Sequence, residues 1–94
     1  MIRLTDDYVI FVNDLEYAVC EDKHKKQVDK DGNERDVYTT IGHFMSLEGA
    51  IKFARNWSIN RQLSDGTYTL EDALREVRKI NAEFTDIMER VLYD

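Results

Sequence analysis

The chain has 94 residues, of which 43% are hydrophobic and 34% charged, and a formal net charge of −6. A chain of this size buries about 65% of its unfolded surface, enough for one small core without disulfide or metal staples, so a single domain over residues 1–94 is expected. No run approaches the ~18 apolar residues of a membrane span. The first seven residues, Met1-Ile2-Arg3-Leu4-Thr5-Asp6-Asp7, lack the apolar core of a signal peptide, and the single cysteine cannot form an internal disulfide. These features predict a protein of a reducing cytoplasm, with no membrane span and no signal peptide.

The first predicted strand is Tyr8-Val9-Ile10-Phe11-Val12, all β-formers. Asn13-Asp14 is a two-residue turn candidate, because both residues tolerate positive φ. Leu15–Cys20 returns as the second strand. That turn would pair Val12 with Leu15, Ile10 with Tyr17 and Tyr8 with Val19, all six on one face. Residues 21–36 are strongly polar, with Asp31-Gly32-Asn33 near the middle, and read as a mobile hairpin tip. The third strand is Val37–Phe44, in which Gly42 suggests a bulge or a close backbone approach.

The apolar period then changes from 2 to 3.6. Ser46 is a good N-cap, and Glu48 complements the helix dipole in the first turn. Leu47, Ala50, Ile51, Ala54 and Trp57 form one stripe, with Phe53 on its flank, and predict a helix over about 47–62. Ser64-Asp65-Gly66 ends it. Thr69 caps a second helix, with Asp72 three residues on as a weak capping-box variant. Leu70, Ala73, Leu74, Val77, Ile80, Phe84, Ile87, Met88 and Val91 continue at helical spacing. Glu71–Arg75 and Asp86–Arg90 add i,i+4 support. About 22 residues give a helix of roughly 33 Å, as long as a domain this size is wide. The expected fold is α+β: a three-stranded antiparallel meander (about residues 8–44) covered on one face by two helices (about 46–92), the C-terminal one long.

The charge is unevenly spread. Residues 1–22 carry six acids and one base, residues 23–40 four and five, residues 41–63 one and three, and residues 64–94 eight and four. Acidic ends and a mildly basic middle argue against direct nucleic-acid contact, since phosphate binding needs clustered Lys and Arg. The best local patch, Lys23, Lys25 and Lys26 with His24, reads as solvated charge on a hairpin arm.

Chemical motifs fail one by one. Asp29-Lys30-Asp31-Gly32-Asn33-Glu34 begins like a calcium loop, but Glu34 stands where the sharp turn needs glycine and Thr40 where a bidentate acid is needed. Cys20 with His24 or His43 lacks the third group of a nucleophilic site, and Cys20 with His24 lacks two metal ligands. Gly42 and Gly49 have the wrong spacing for a phosphate loop. Adjacent acids such as Asp6-Asp7, Glu21-Asp22 and Glu71-Asp72 read as surface charge or dipole complement. No catalytic residue, metal ligand or cofactor is therefore expected. The candidate interface residues are Trp57, at the edge of its helical stripe, and Met88, Val91 and Leu92, on the last turns of the long helix. Asn81 falls inside the same stripe, where a polar residue can fix register or oligomeric state. The expectation is that the first helix and the sheet cover these last turns within one chain; the alternative is a homodimer through the C-terminal helix.

The pieces Asp7-Tyr8-Val9-Ile10, Leu15-x-Tyr17, Lys30-Asp31-Gly32, Ile41-Gly42-His43-Phe44, Ser46-Leu47-Glu48-x-Ala50 and Thr69-Leu70-Glu71-Asp72-Ala73-Leu74 are spread along the chain from residue 7 to residue 74. In this order it resembles small phage and prophage proteins of unassigned activity, chiefly of Firmicutes, built around a Tyr-x-x-Ile-Gly-Tyr-Phe-x-Ser-Leu-Glu-x-Ala stretch. His43 stands where that family usually has an aromatic residue. The resemblance implies a phage accessory product in the bacterial cytoplasm and supplies no site residues. The expected function is binding to a host or phage protein without catalysis. The alternative is an acidic inhibitor of a host nucleic-acid or defence enzyme, which needs acids clustered on one face.

Overall fold

The computed structural model describes the backbone of residues 1–93 and the side chains of residues 1–90. It has an antiparallel sheet and two helices, and it divides into two compact units, Met1–Ala50 and a second beginning at Ile51. No helix of the described residues is long and apolar enough to cross a membrane.

The sheet has four strands rather than the expected three, in the order β1 (Ile2–Arg3), β2 (Tyr8–Val12), β3 (Tyr17–Val28) and β4 (Glu34–Phe44). β1 is two residues long, too short to show a period, and pairs Ile2 with Ile10 and Arg3 with Val9. The turn behind it closes because Leu4 and Thr5 donate their N–H groups to the Tyr8 carbonyl, while Thr5 Oγ1 accepts from the Asp7 N–H.

The β2–β3 register differs by two residues from the expected one. Val12 faces Tyr17, Ile10 faces Val19 and Tyr8 faces Glu21. The two-residue turn is Asp14-Leu15 rather than Asn13-Asp14, closed by the Asn13 N–H on the Glu16 carbonyl at 3.1 Å. Asn13 Oδ1 accepts from the N–H groups of Leu15 and Glu16 at 2.9 and 3.0 Å. Asn13 therefore serves as the side-chain cap that opens the turn, and no residue of it has positive φ. A slip of two keeps every side chain on its expected face. Its one large effect is on Leu15, which leaves the sheet and becomes the turn tip.

Residues 21–28 are strand, not a mobile tip. β3 and β4 continue past the end of β2 as a two-stranded ribbon that pairs Lys26 with Asp36, Gln27 with Arg35 and Val28 with Glu34. The true tip is Asp29–Asn33. Asp29 Oδ1 accepts from the Asp31 and Asn33 N–H groups, both at 2.9 Å, and Gly32 takes φ +83°. With the Asp29 N–H on the Asn33 carbonyl closing it, Lys30-Asp31-Gly32 is a three-residue hairpin loop, which needs glycine in the left-handed region.

Two irregularities bend the β3–β4 ladder. Ile41 is the extra residue between Thr40, opposite Cys20, and Gly42, opposite Val19; this is the bulge that Gly42 signalled. Further out, Lys23, His24 and Lys25 together face Val37, and His24 takes φ +54°. Burial is greatest along Tyr8, Val9 and Ile10 of β2 and Val19 and Cys20 of β3, so β2 is covered on both faces. Toward the turn it ends: Phe11 and Val12 are exposed.

Helix α1 (Leu47–Ser64) starts at the expected cap, with the Gly49 N–H on Ser46 Oγ at 3.0 Å. Ala50, Ile51 and Ala54 are fully buried, while Leu47, Phe53 and Trp57 are half-buried. The connection after α1 is fastened by Tyr68, whose hydroxyl donates to the Gln62 carbonyl at 3.1 Å. Helix α2 (Leu70–Tyr93), at 24 residues the longest helix, is capped by Thr69 Oγ1 on the Asp72 N–H at 3.2 Å. Ile80 and Phe84 are its buried centre, whereas Leu70 and Leu74 are exposed, so the stripe is not covered along its first turns.

Candidate functional site: the open end and edge of the sheet

The β2–β3 turn and the end of β4 form one end of the sheet, because Val12, Tyr17 and Phe44 are cross-strand neighbours. This end is apolar and wet. Val12 is 50% exposed, Leu15 80% and Met45 84%. Phe11, on the other face, is also exposed and meets the Tyr38 ring edge-on, with centroids 5.3 Å apart. A turn tip ordinarily carries polar residues. A leucine there, beside an exposed valine and methionine, serves no core and marks a surface that is dry only when something covers it.

The second feature is a polar network at the inner ribbon irregularity. The His24 N–H donates to Asp22 Oδ1 at 2.8 Å, and His24 Nε2 lies 2.8 Å from Asp7 Oδ1. Arg3 reaches the other Asp22 oxygen at 3.1 Å and also donates to the Thr5 and Asp6 carbonyls. The His24 N–H, with help from Arg3 and against some desolvation, holds the Asp22 carboxyl below its usual 3.8. The Asp7 carboxylate raises the His24 imidazole above 6.5. The network ties β1 and β3 to the segment that leads into β2.

Cys20, His43 and Asp29 are also engaged. Cys20 is buried, its Sγ 3.4 Å from Thr40 Oγ1, and His43 Nδ1 pairs with Glu16 at 3.0 Å. The Asp29 carboxylate accepts from the tip backbone and lies 3.5 Å from Arg35 Nε. Among the described residues no group of three or more His, Cys, Asp or Glu is placed to hold a metal.

Of the interface residues expected from sequence, Trp57 is half-buried on α1. Its ring lies 5.9 Å from that of Phe53, and it lines an open groove of about 300 Å³ with Asn60, Arg61 and Ser64. Met88 is half-buried on α2, and the side chains of Val91 and Leu92 lie outside the described residues. Sequence reasoning missed Leu15 and Met45. The available signal was an apolar residue directly after Asn-Asp, which Asn13 as turn opener would have placed at the tip. No family model, curated protein or solved structure matches this chain.

Proposed function

We propose that this chain is a phage or prophage accessory protein that acts in the bacterial cytoplasm by binding another protein, without catalysis. The observation that carries the reading is the exposed apolar cluster Val12, Leu15 and Met45 at the turn end of the sheet. Its occupant is a protein surface with an apolar patch, since the side chains of Val12, Leu15 and Met45 offer no hydrogen-bonding group to a polar ligand. The phage origin rests on the resemblance of the Ile41-Gly42-His43-Phe44 and Ser46-Leu47-Glu48-x-Ala50 segments.

The nucleic-acid-mimic alternative is less well supported. Asp7, Glu21, Asp22, Asp29 and Asp36 each sit in an ion pair with a basic side chain of the same unit, and Glu16 lies 3.0 Å from His43 Nδ1, so these six do not form an open row of acids. The same pairs occupy Lys23, Lys26 and Arg35 of the ribbon, which weakens direct phosphate contact as well.

The test is affinity capture from a Firmicutes lysate with the tagged chain and with a Leu15→Asp, Met45→Asp variant, followed by reconstitution of any retained protein in pure form. The reading expects one stoichiometric partner that binds the wild type directly and loses the variant. Equal retention by both chains, or no retention by either, contradicts it.

A further inference from the structure

The sheet has two edges, and they are built differently. β1 is two residues long, which is one way natural sheets blunt an edge. β4 has eleven residues, and Val37-Tyr38-Thr39-Thr40-Ile41-Gly42 contains no charge and no proline. Among the described residues no strand pairs with its outer side, and none of the backbone bonds outside the ladders uses residues 34–44. Thr39 and Thr40 are exposed. A long uncharged edge is a template for another strand.

We infer that β4 pairs with β4 of a second copy of this chain, antiparallel and centred on Thr39, to make one continuous sheet. The argument is self-complementarity. With Thr39 facing Thr39 of the second copy, Tyr38 faces Thr40. The bulge at Ile41 takes up one residue, so Val37 then faces Gly42, Asp36 faces His43 and Arg35 faces Phe44. Nearly the whole strand is used.

The bulge is what makes the charges meet. A two-fold axis normal to the sheet keeps each face on its own side, so opposed residues must share a face. Asp36 and His43 are seven apart and in a regular strand would point to opposite faces. Here Asp36 lies opposite Lys26 and His43 opposite Ala18, and the one-residue shift at Ile41 puts both on the face of Tyr38 and Thr40. His43 holds Glu16 through Nδ1, and Asp36 holds Lys26 at 3.1 Å. Pairing therefore lines up Lys26, Asp36, then His43 and Glu16 of the second copy in one row, twice by symmetry, and the row alternates in sign when His43 is protonated. Cross-strand opposite charges of this kind favour one register over its neighbours. Arg35 gains the Phe44 ring of the second copy, a cation–π pair.

The partner-binding residues lie at the turn end, so the two readings fail independently. The experiment is sedimentation velocity from low to about 100 μM chain, the range in which a small edge-only interface associates. It compares the wild type with Thr39→Lys, which opposes like charges across the axis and adds the side chain that natural edges use for protection. The wild type is expected to form a dimer, and Thr39→Lys to weaken it at least about tenfold, with the same melting temperature at concentrations low enough that both chains are monomeric. A Thr39→Cys chain should form an interchain disulfide on mild oxidation, since directly opposed residues have the Cα separation that a disulfide needs. Lys30→Cys at the ribbon tip should not. A wild type that stays monomeric, a dimer that survives Thr39→Lys, or a Thr39→Cys chain that cross-links no better than Lys30→Cys overturns the inference.

Discussion

His24 Nε2 lies 2.8 Å from Asp7 Oδ1, across the step from the irregular stretch of β3 to the residue before β2. The pair holds a histidine that has left ordinary strand geometry, at φ +54°.

This relationship sets a pH dependence. The folded imidazole titrates above 6.5, so its contribution is full below about pH 6.5 and is lost as pH rises through the higher folded value. The folded Asp22 carboxyl titrates below 3.8, so its contribution is full above about pH 3.8 and is lost as pH falls through the lower folded value. Both are complete only between these limits. A His24→Asn chain tolerates the positive φ but loses the ion pair. Its melting temperature should lie below the wild type at about pH 6, and the gap should close toward about pH 9. A gap independent of pH would assign the loss to packing.

The ribbon tip predicts a purely backbone effect. A Cβ on Gly32 would meet nothing within 4 Å, but the residue sits at φ +83°. Gly32→Ala should cost about 1 kcal/mol in urea unfolding and Gly32→Asn less, because asparagine enters the left-handed region more readily.

At the start of α1, Ser46→Ala should cost about 1 kcal/mol through loss of the bond to the Gly49 N–H. Gly49→Ala ordinarily gains helix propensity, yet its Cβ would come 3.0 Å from Ser46 Oγ. The two changes should therefore couple: Gly49→Ala is more favourable in the Ser46→Ala background than in the wild type, measured as a double-mutant cycle.

Phe84 and Leu15 are both large apolar residues with opposite fates. Phe84, 1% exposed, should cost about 3–5 kcal/mol on replacement by alanine. Leu15→Ala should change stability by no more than about 0.5 kcal/mol. Equal losses would mean that Leu15 is a core residue and that the apolar end of the sheet is structural.

What the sequence disclosed follows from where burial imposes a pattern. The helix caps Ser46 and Thr69 and the buried stripe Ala50-Ile51-Ala54 were legible because each follows a local rule, and Gly42 signalled a bulge or a close backbone approach, of which the structure has the bulge. β1 was not, since Ile2-Arg3 is shorter than any period. The ribbon was not either. Lys23–Val28 has no buried face, so no alternation is required of it, and cross-strand pairs such as Lys26–Asp36 accompany its pairing instead. The turn was displaced by one residue because Asn13 has two roles, as a residue tolerant of positive φ and as a side-chain cap, and the second prevailed. That displacement hid Leu15, and with it the candidate surface.

The most direct measurement is amide hydrogen exchange of the chain alone and saturated with its purified protein partner. The account predicts slowed exchange over residues 11–17 and 43–46 on binding. Slowing confined to α2, or to the Trp57 groove on α1, would contradict it and place the binding surface in the helical unit.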